Sequence, residues 1–216
     1  MIDEIKKVLL NLVPSTPDYV FDHLQGSMTL RNFSAGEYLC WPESACANDD
    51  SAQHYHYIKK GLLRCYYQRP DGKEFNTRFV HEGQLFANVL ASAEGECAEL
   101  YVQALEPVTA VQLMSVADLR KQSETDIYFA RFIMRCMRSA YIDRENRQYM
   151  LQSASAVERY SYIRDAFPQQ LLARIPQYHL ASYLGLNSIT FSRAKKAFLT
   201  QQNSQPVASN FAFASI

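Results

Sequence analysis

The sequence predicts an α+β chain: an antiparallel β-region comes first, one long helix follows, and a pair of short helices lies near the end. Three observations predict it. From about Leu30 to Leu113 apolar residues recur mainly with period two, with turn signals and no helical run between them. From Thr125 the 28 residues "TDIYFARFIMRCMRSAYIDRENRQYMLQ" contain no proline or glycine and keep apolar residues on one face. Finally, "IPQYHLASYLGLNSITFSRAKK" carries two short helical patterns separated by a single glycine, Gly185. A chain of 216 residues with 48% hydrophobic and 20% charged residues has ample material for the cores of one large or two small globular domains.

The N-terminal stretch "MIDEIKKVLLNLV" reads as a short amphipathic helix, its acids arguing against a secretory signal. No apolar run approaches membrane-spanning length, so no membrane association and a cytoplasmic location are expected. "HYHYIKKGLLRCYYQRPDGKEFNTRFV" holds two β-rich runs around Pro70-Asp71-Gly72, a hairpin signal, and Gly61 and Gly83 mark further turns. "YVQALEPVTAVQL" alternates cleanly until Ser115, which is placed to cap a short helix. Short strands without intervening helices mean a roll, barrel or sandwich. Residues 47–53, "ANDDSAQ", read as a mobile loop.

The long helix would extend about 40 Å, which places one end outside its own domain. Its apolar face, Phe129, Ile133, Cys136 or Met137, Ala140 and Tyr141, is read as a seam that packs against a second copy; packing within one chain is the alternative. "SAVERYSYIRDAFP" gives another helix ended by Pro168.

The glycine-centred stretch reads as two helices. "QYHLASYL" places Leu180 and Leu184 on one face, and Gly185 ends it because a sharp turn needs a residue tolerant of positive φ. Asn187 or Ser188 then caps a second helix whose inward face is Phe191, Ala194 and Phe198. The small Ala181 lets the second helix cross closely over the first. This is the pattern of a helix-turn-helix whose second helix enters a DNA major groove, although a bare αα-hairpin gives a similar pattern. The last twelve residues, "QPVASNFAFASI", read as a short strand or a loosely held tail.

Charge is asymmetric. Lysines plus arginines and aspartates plus glutamates number 22 each, yet beyond Asp165 come only Arg174, Arg193, Lys195 and Lys196. That leaves the final segment at +4 and residues 1–165 at −4. A polyanion partner or a solvated basic end accounts for this. The five cysteines are scattered without a C-x-x-C pair, so structural thiols are expected rather than a redox or iron–sulfur site. His54 and His56 share one strand face, but no third ligand is in evident reach, so no metal is assigned. Neither a G-x-S-x-G elbow nor a P-loop occurs, so no catalytic residues and no cofactor are assigned and the chain is read as a non-enzyme.

In this order the parts resemble the catabolite-activator-like CRP/FNR transcription regulators. "YIKKGLLRCYYQRPDGKEF" resembles that family's strand–glycine–strand–hairpin segment, "EGQLF" its following turn, and "RIPQYHLASYLGLNSITFSRAKK" its reader motif. The resemblance implies a cyclic-nucleotide-binding-like β-roll over 1–124, a dimerisation helix over 125–153 and a C-terminal winged helix-turn-helix over 154–216. It also implies a homodimer on a palindromic operator of double-stranded DNA, with RNA polymerase as a further partner. By the same resemblance, Arg193 is the reader arginine.

The chain departs from the family in its pocket and reader. Where nucleotide-binding members carry a Gly-Glu pair and, eleven residues on, an Arg with Ser or Thr, this chain has Ala87, Asn88, Ala98 and Glu99. A buried phosphate needs a paired cation or converging N–H donors, so cyclic AMP is not expected to bind and any effector is unknown. Leu85, Phe86, Val89, Leu100 and Tyr101 would line a remaining pocket for an apolar or aromatic molecule, or simply fill the core. In the reader, Ile189 stands where family members often place a glutamate, and would touch a thymine methyl rather than accept from cytosine. Arg193 would grip guanine; Ser188, Thr190 and Ser192 offer hydroxyls, and Lys195 and Lys196 meet phosphates. A module whose terminal helices bind a partner protein is the alternative function.

Overall fold

The computed structural model describes residues 2–42, 53–88 and 100–202. They form two compact units, 1–138 and 139–216 in extent, so the division falls inside the long helix.

The first unit opens with α1 (Ile2–Leu12) and α2 (Asp18–Gly26). The sequence pattern shows the first of these; the second occupies only nine residues between Pro17 and Ser27 and has no counterpart in the periodicity reading. Eight strands follow among the described residues: β1 (Thr29–Phe33), β2 (Tyr38–Cys40), β3 (His54–Lys60), β4 (Leu62–Gln68), β5 (Glu74–His81), β6 (Leu85–Phe86), β7 (Leu100–Ala104) and β8 (Val108–Ser115). They make two four-stranded antiparallel sheets, ordered β1-β8-β3-β6 and β2-β7-β4-β5. This is the expected roll.

The turns fall where the sequence placed them. Gly72 closes the β4–β5 hairpin at φ +80°, its N–H donating to the Arg69 carbonyl. Gly61, at φ +100°, carries the chain from the first sheet to the second. A Cβ there would lie 2.5 Å from the Pro107 carbonyl oxygen, so only glycine fits. Ser115 caps α3 (Val116–Ser123) by accepting the Asp118 N–H.

Between the sheets lies a core of Phe33, Leu39, Ile58, Leu63, Val80, Val102 and Ala110 with neighbours. A second core fills the opposite face of the β1-β8-β3-β6 sheet, where Tyr55, Tyr57, Val111 and Leu113 meet α1, α2, α3 and the start of α4 (Ile127–Ser153). Period-two alternation thus serves both faces of one sheet, each covered by different material.

The second unit continues α4 and adds α5 (Ala156–Ala166), α6 (Gln169–Arg174), α7 (Gln177–Tyr183) and α8 (Ser188–Gln202). Ser155 and Glu158 form a complete capping box at the start of α5. Pro168 and Pro176 stand at the N-caps of α6 and α7, where the missing N–H costs nothing. The six-residue α6 is too short to announce itself by period and was not expected. The last twelve residues, read as a short strand or a loosely held tail, and the 47–53 loop apart from Gln53, lie outside the described residues. Among the described residues no helix is long and apolar enough to cross a membrane.

Candidate nucleic-acid interface

The turn between α7 and α8 forms as the glycine requires. Gly185 adopts φ +64°, the Leu186 N–H donates to the Ala181 carbonyl at 2.9 Å and the Gly185 N–H to the Ser182 carbonyl at 3.0 Å. These two bonds are the Schellman pattern, which satisfies carbonyls the helix itself leaves open. Asn187 caps α8: its side-chain oxygen accepts the Thr190 N–H at 2.8 Å. Phe191, Ala194 and Phe198 are all buried, as are Leu180, Ala181 and Leu184 beneath them. The Tyr160 ring on α5 meets Phe191 and Phe198 edge-on, at 5.6 and 5.3 Å between centroids. This core fixes which face of α8 looks outward.

That outward face carries the residues expected to read DNA. Ser188, Ile189, Ser192, Arg193 and Lys196 are exposed, and Thr190 and Lys195 are half-buried. Ile189 is 67% exposed, unusually so for an aliphatic side chain on a helix with a formed core. No acidic residue occurs anywhere beyond Asp165. Arg193, Lys195 and Lys196 make no ion pair among the described residues, with acids earlier in the chain included. Tyr178 on α7 is exposed as well, its ring tilted over His179 at 4.0 Å; a lone aromatic in a short helix gave no signal by which to single it out.

The long helix presents its apolar residues differently from the expectation. Phe129 is buried in the first unit's helical core, and Ile133 and Cys136 pack against that core. Phe129 is thereby covered within its own unit, and Ile133 and Cys136 are partly covered. Met137 and Tyr141 are exposed, at 55% and 64%, and Ala140 is half-buried. Ile127 and Met134, absent from the expected seam, are exposed as well, at 57% and 68%. Ile127, Met134 and Tyr141 stand seven residues apart, with Met137 three beyond Met134, which is the a/d spacing of a coiled-coil seam.

In the roll, the described residues of the expected pocket divide between faces: Phe86, Asn88 and Leu100 gather around Cys40 between the sheets, and Leu85, Ala87 and Tyr101 lie elsewhere. Phe86 and Leu100 belong to the core between the sheets. Leu85 and Ala87 pack on the opposite face, against the helical core. Tyr101 is on the outer face of the second sheet, stacked on Tyr66 at 4.9 Å with rings 13° from parallel. Asn88 is buried and donates to the Cys40 sulfur at 3.2 Å. Val89, Ala98 and Glu99 lie outside the described residues. Alternation along β6 and β7 separates neighbours onto opposite faces, so Leu85, Ala87 and Tyr101 are not lining residues of the roll interior.

One inward cation escaped the sequence reading. Arg78 on β5 faces Cys65 on β4 across the sheet, and its charge reaches both Cys65 and Cys136. Burial pushes both thiols up to about 12, the arginine only partly offsetting it, so they are inert as nucleophiles. His56 is fully buried and His54 half-buried. No group of metal-binding side chains occurs among the described residues. A crevice of about 10 Å³ between α1, α2 and α4, lined by Leu9, Val13, Val20 and Phe132, is too small for any ligand beyond a water.

Comparison with known proteins bears on both units. Residues 30–124 match the cyclic nucleotide-binding domain. FixK2 from Bradyrhizobium japonicum superposes with a TM-score of 0.67 at 21% identity, over 81% of this chain and 86% of that one. A protein assigned to the crp/fnr family of transcriptional regulators, from Eubacterium rectale, gives 0.65 at 12% identity, over 88% of each chain. The fold is that of the CRP/FNR regulators. CLP of Xanthomonas campestris, a c-di-GMP responsive global regulator, superposes with a TM-score of 0.64 at 12% identity, over 86% of this chain and 93% of that one. Curated proteins give no match.

Proposed function

We propose that the chain is a DNA-binding transcription regulator, acting in the cytoplasm as a homodimer on a palindromic operator. The observation that carries this reading is the outward face of α8, where Arg193, Lys195 and Lys196 pair with no carboxylate among the described residues and Ile189 is exposed on a formed helix-turn-helix. Cations left without an internal partner on a groove-sized helix suit a polyanion. Arg193 takes guanine through O6 and N7, and Ile189 packs on a thymine methyl. Ser188, Thr190 and Ser192 supply hydroxyls to phosphates or bases, and the lysines set affinity through the backbone.

Dimerisation runs through the exposed stripe of α4, with Met134, Met137 and Tyr141 at its centre. Cyclic AMP is not the effector: Ala98 and Glu99 offer no cation to a cyclic phosphate. RNA polymerase is the downstream partner, and no step of this function is catalytic. The test is selection of duplexes from a random pool by the purified protein at two salt concentrations. The expected result is a palindromic motif whose retention falls steeply with salt as counterions are released. The exposed Ile189 and Leu199 favour one other reading, in which α8 binds a partner protein. Failure to enrich any duplex at either salt would turn the assignment to that reading.

A further inference from the structure

We propose that Arg147 and Arg159 form a clamp that locks the helix-turn-helix onto the last two turns of α4, making both residues positioning residues for the reader. The turn bonds described above, with the Leu184 N–H, take the carbonyls of Leu180, Ala181 and Ser182. The carbonyls of Tyr183 and Leu184 come next, at the end of α7. Arg147, from α4, donates through Nη2 to the Tyr183 carbonyl at 2.9 Å, its guanidinium lying 4.9 Å over the Tyr183 ring. Arg159, from α5, donates through Nη1 to the Leu184 carbonyl at 3.1 Å. Two helices therefore supply donors to the end of a third.

Arg159 does more than close α7. Its Nη2 donates to the Leu151 carbonyl at 2.8 Å, in the last turn of α4, and its Nε to the Ala154 carbonyl at 3.0 Å, just past that helix. One planar guanidinium thus ties together the end of α4, the start of α5 and the turn that aims α8. Three carbonyls in different directions match the fixed fork of arginine and not the point charge of lysine. Both cations also sit at helix C-termini, where the backbone dipoles favour positive charge. The packing is close: a Cβ on Gly185 would lie 3.2 Å from Leu151 Cδ2 and 3.6 Å from Arg159 Nη1. The same glycine that permits the turn lets the clamp close over it.

The consequence is that the joint at residues 153–155 does not serve as a free pivot. The reader moves with the end of α4, and a displacement carried along that helix reaches α8 undamped. This rests on α8 being the DNA reader only in the last arm of the test. Spin labels are placed through ketone-bearing residues at Arg144 and Thr200, both exposed in the second unit, with excess unlabelled chain to isolate the distance within one chain. The full chain should give a single narrow distance by double electron–electron resonance. In the Arg147→Met/Arg159→Met variant that narrow peak is lost to a broad distribution while helical circular dichroism is retained. Should the double variant lose its helices, Arg159→Lys decides, and it too should broaden the distribution. An unchanged narrow peak in a helical double variant, or in Arg159→Lys, overturns the clamp. In the DNA arm, operator affinity falls about tenfold if the competent pose drops to about a tenth of the population. A wild-type chain that bound no DNA would leave the distance measurement as the judge of the clamp and count only against the function proposed above.

Discussion

Arg64 in the roll and Arg193 on α8 use the same side chain in opposite ways. Arg64 is 5% exposed, on the outer face of the second sheet. Its guanidinium donates to Gln103 Oε1 from Nε at 2.9 Å and from Nη2 at 2.6 Å, pairs with Glu74 and lies 4.0 Å over the Tyr66 ring. Tyr66 in turn shares a hydrogen bond with Tyr38 and stacks on Tyr101. Every face of this cation is occupied from within. Arg193 is exposed and has no ion pair among the described residues. A charge spent internally holds a sheet together; a charge left unspent awaits a ligand.

The comparison breaks if the two arginines trade effects. The largest expected change is at Arg64. Arg64→Ala removes a buried guanidinium from Gln103, the partly exposed Glu74 and the Tyr66 ring, and should cost about 3 kcal/mol of roll stability, the upper end of what hydrogen bonds to a charged group contribute. Urea denaturation reads this, and operator affinity measured well below the transition should be unchanged. Arg193→Ala should do the reverse, losing about 2 kcal/mol of operator binding, roughly thirtyfold, with its midpoint unmoved. A stability loss in Arg193→Ala, or an affinity loss in Arg64→Ala, would dissolve the distinction.

The two regions also differ in how much of them the sequence discloses. The reader is built from local signals: a glycine at C′, an asparagine cap four residues before Phe191, and a 3.6-residue period, all within 22 residues from Ile175 to Lys196. In the roll the alternation disclosed strands and turns, but which face a residue takes depends on register with a distant strand. Leu85, Phe86, Ala87 and Asn88 are consecutive and so alternate between the two faces, which is why they do not share one pocket. On α4 two apolar stripes run side by side, one through Phe129, Phe132 and Ile133, the other through Ile127, Met134 and Tyr141. Periodicity finds both and does not say which is claimed by α1 and α2 beneath it. Arg78 went unseen because an arginine on a strand is ordinarily read as solvent-facing. α2 and α6 went unseen because nine and six residues hold too few turns for a period to show.

A smaller effect sharpens the view of α8. Lys196 is exposed where a phosphate contact adds affinity without sequence. Lys196→Ala should weaken all duplexes alike and lower the salt slope of binding by about 1. A change of preferred sequence in this variant would instead make Lys196 a base reader.

The smallest effect concerns a charge that is spent internally although it is exposed. Glu158 accepts the Ser155 N–H at 2.7 Å, while the Ser155 hydroxyl accepts the Glu158 N–H. The hydrogen bonds from the Ser155 side chain and backbone hold the Glu158 carboxyl below its ordinary 4.5, and the slight burial opposes them weakly. A depressed folded-state pKa means that the ionised form helps the fold. Its contribution is complete above the ordinary value and is lost as pH falls through the lower, folded one. Glu158→Gln should therefore melt below wild type at pH 7, and the gap should narrow as the wild-type carboxylate is protonated below about pH 4.5. Thermal melts of both proteins between pH 7 and pH 3 measure that gap. A gap of constant width would mean that the carboxylate's charge contributes nothing here, and that exposure, rather than internal commitment, governs what a charge does in this chain.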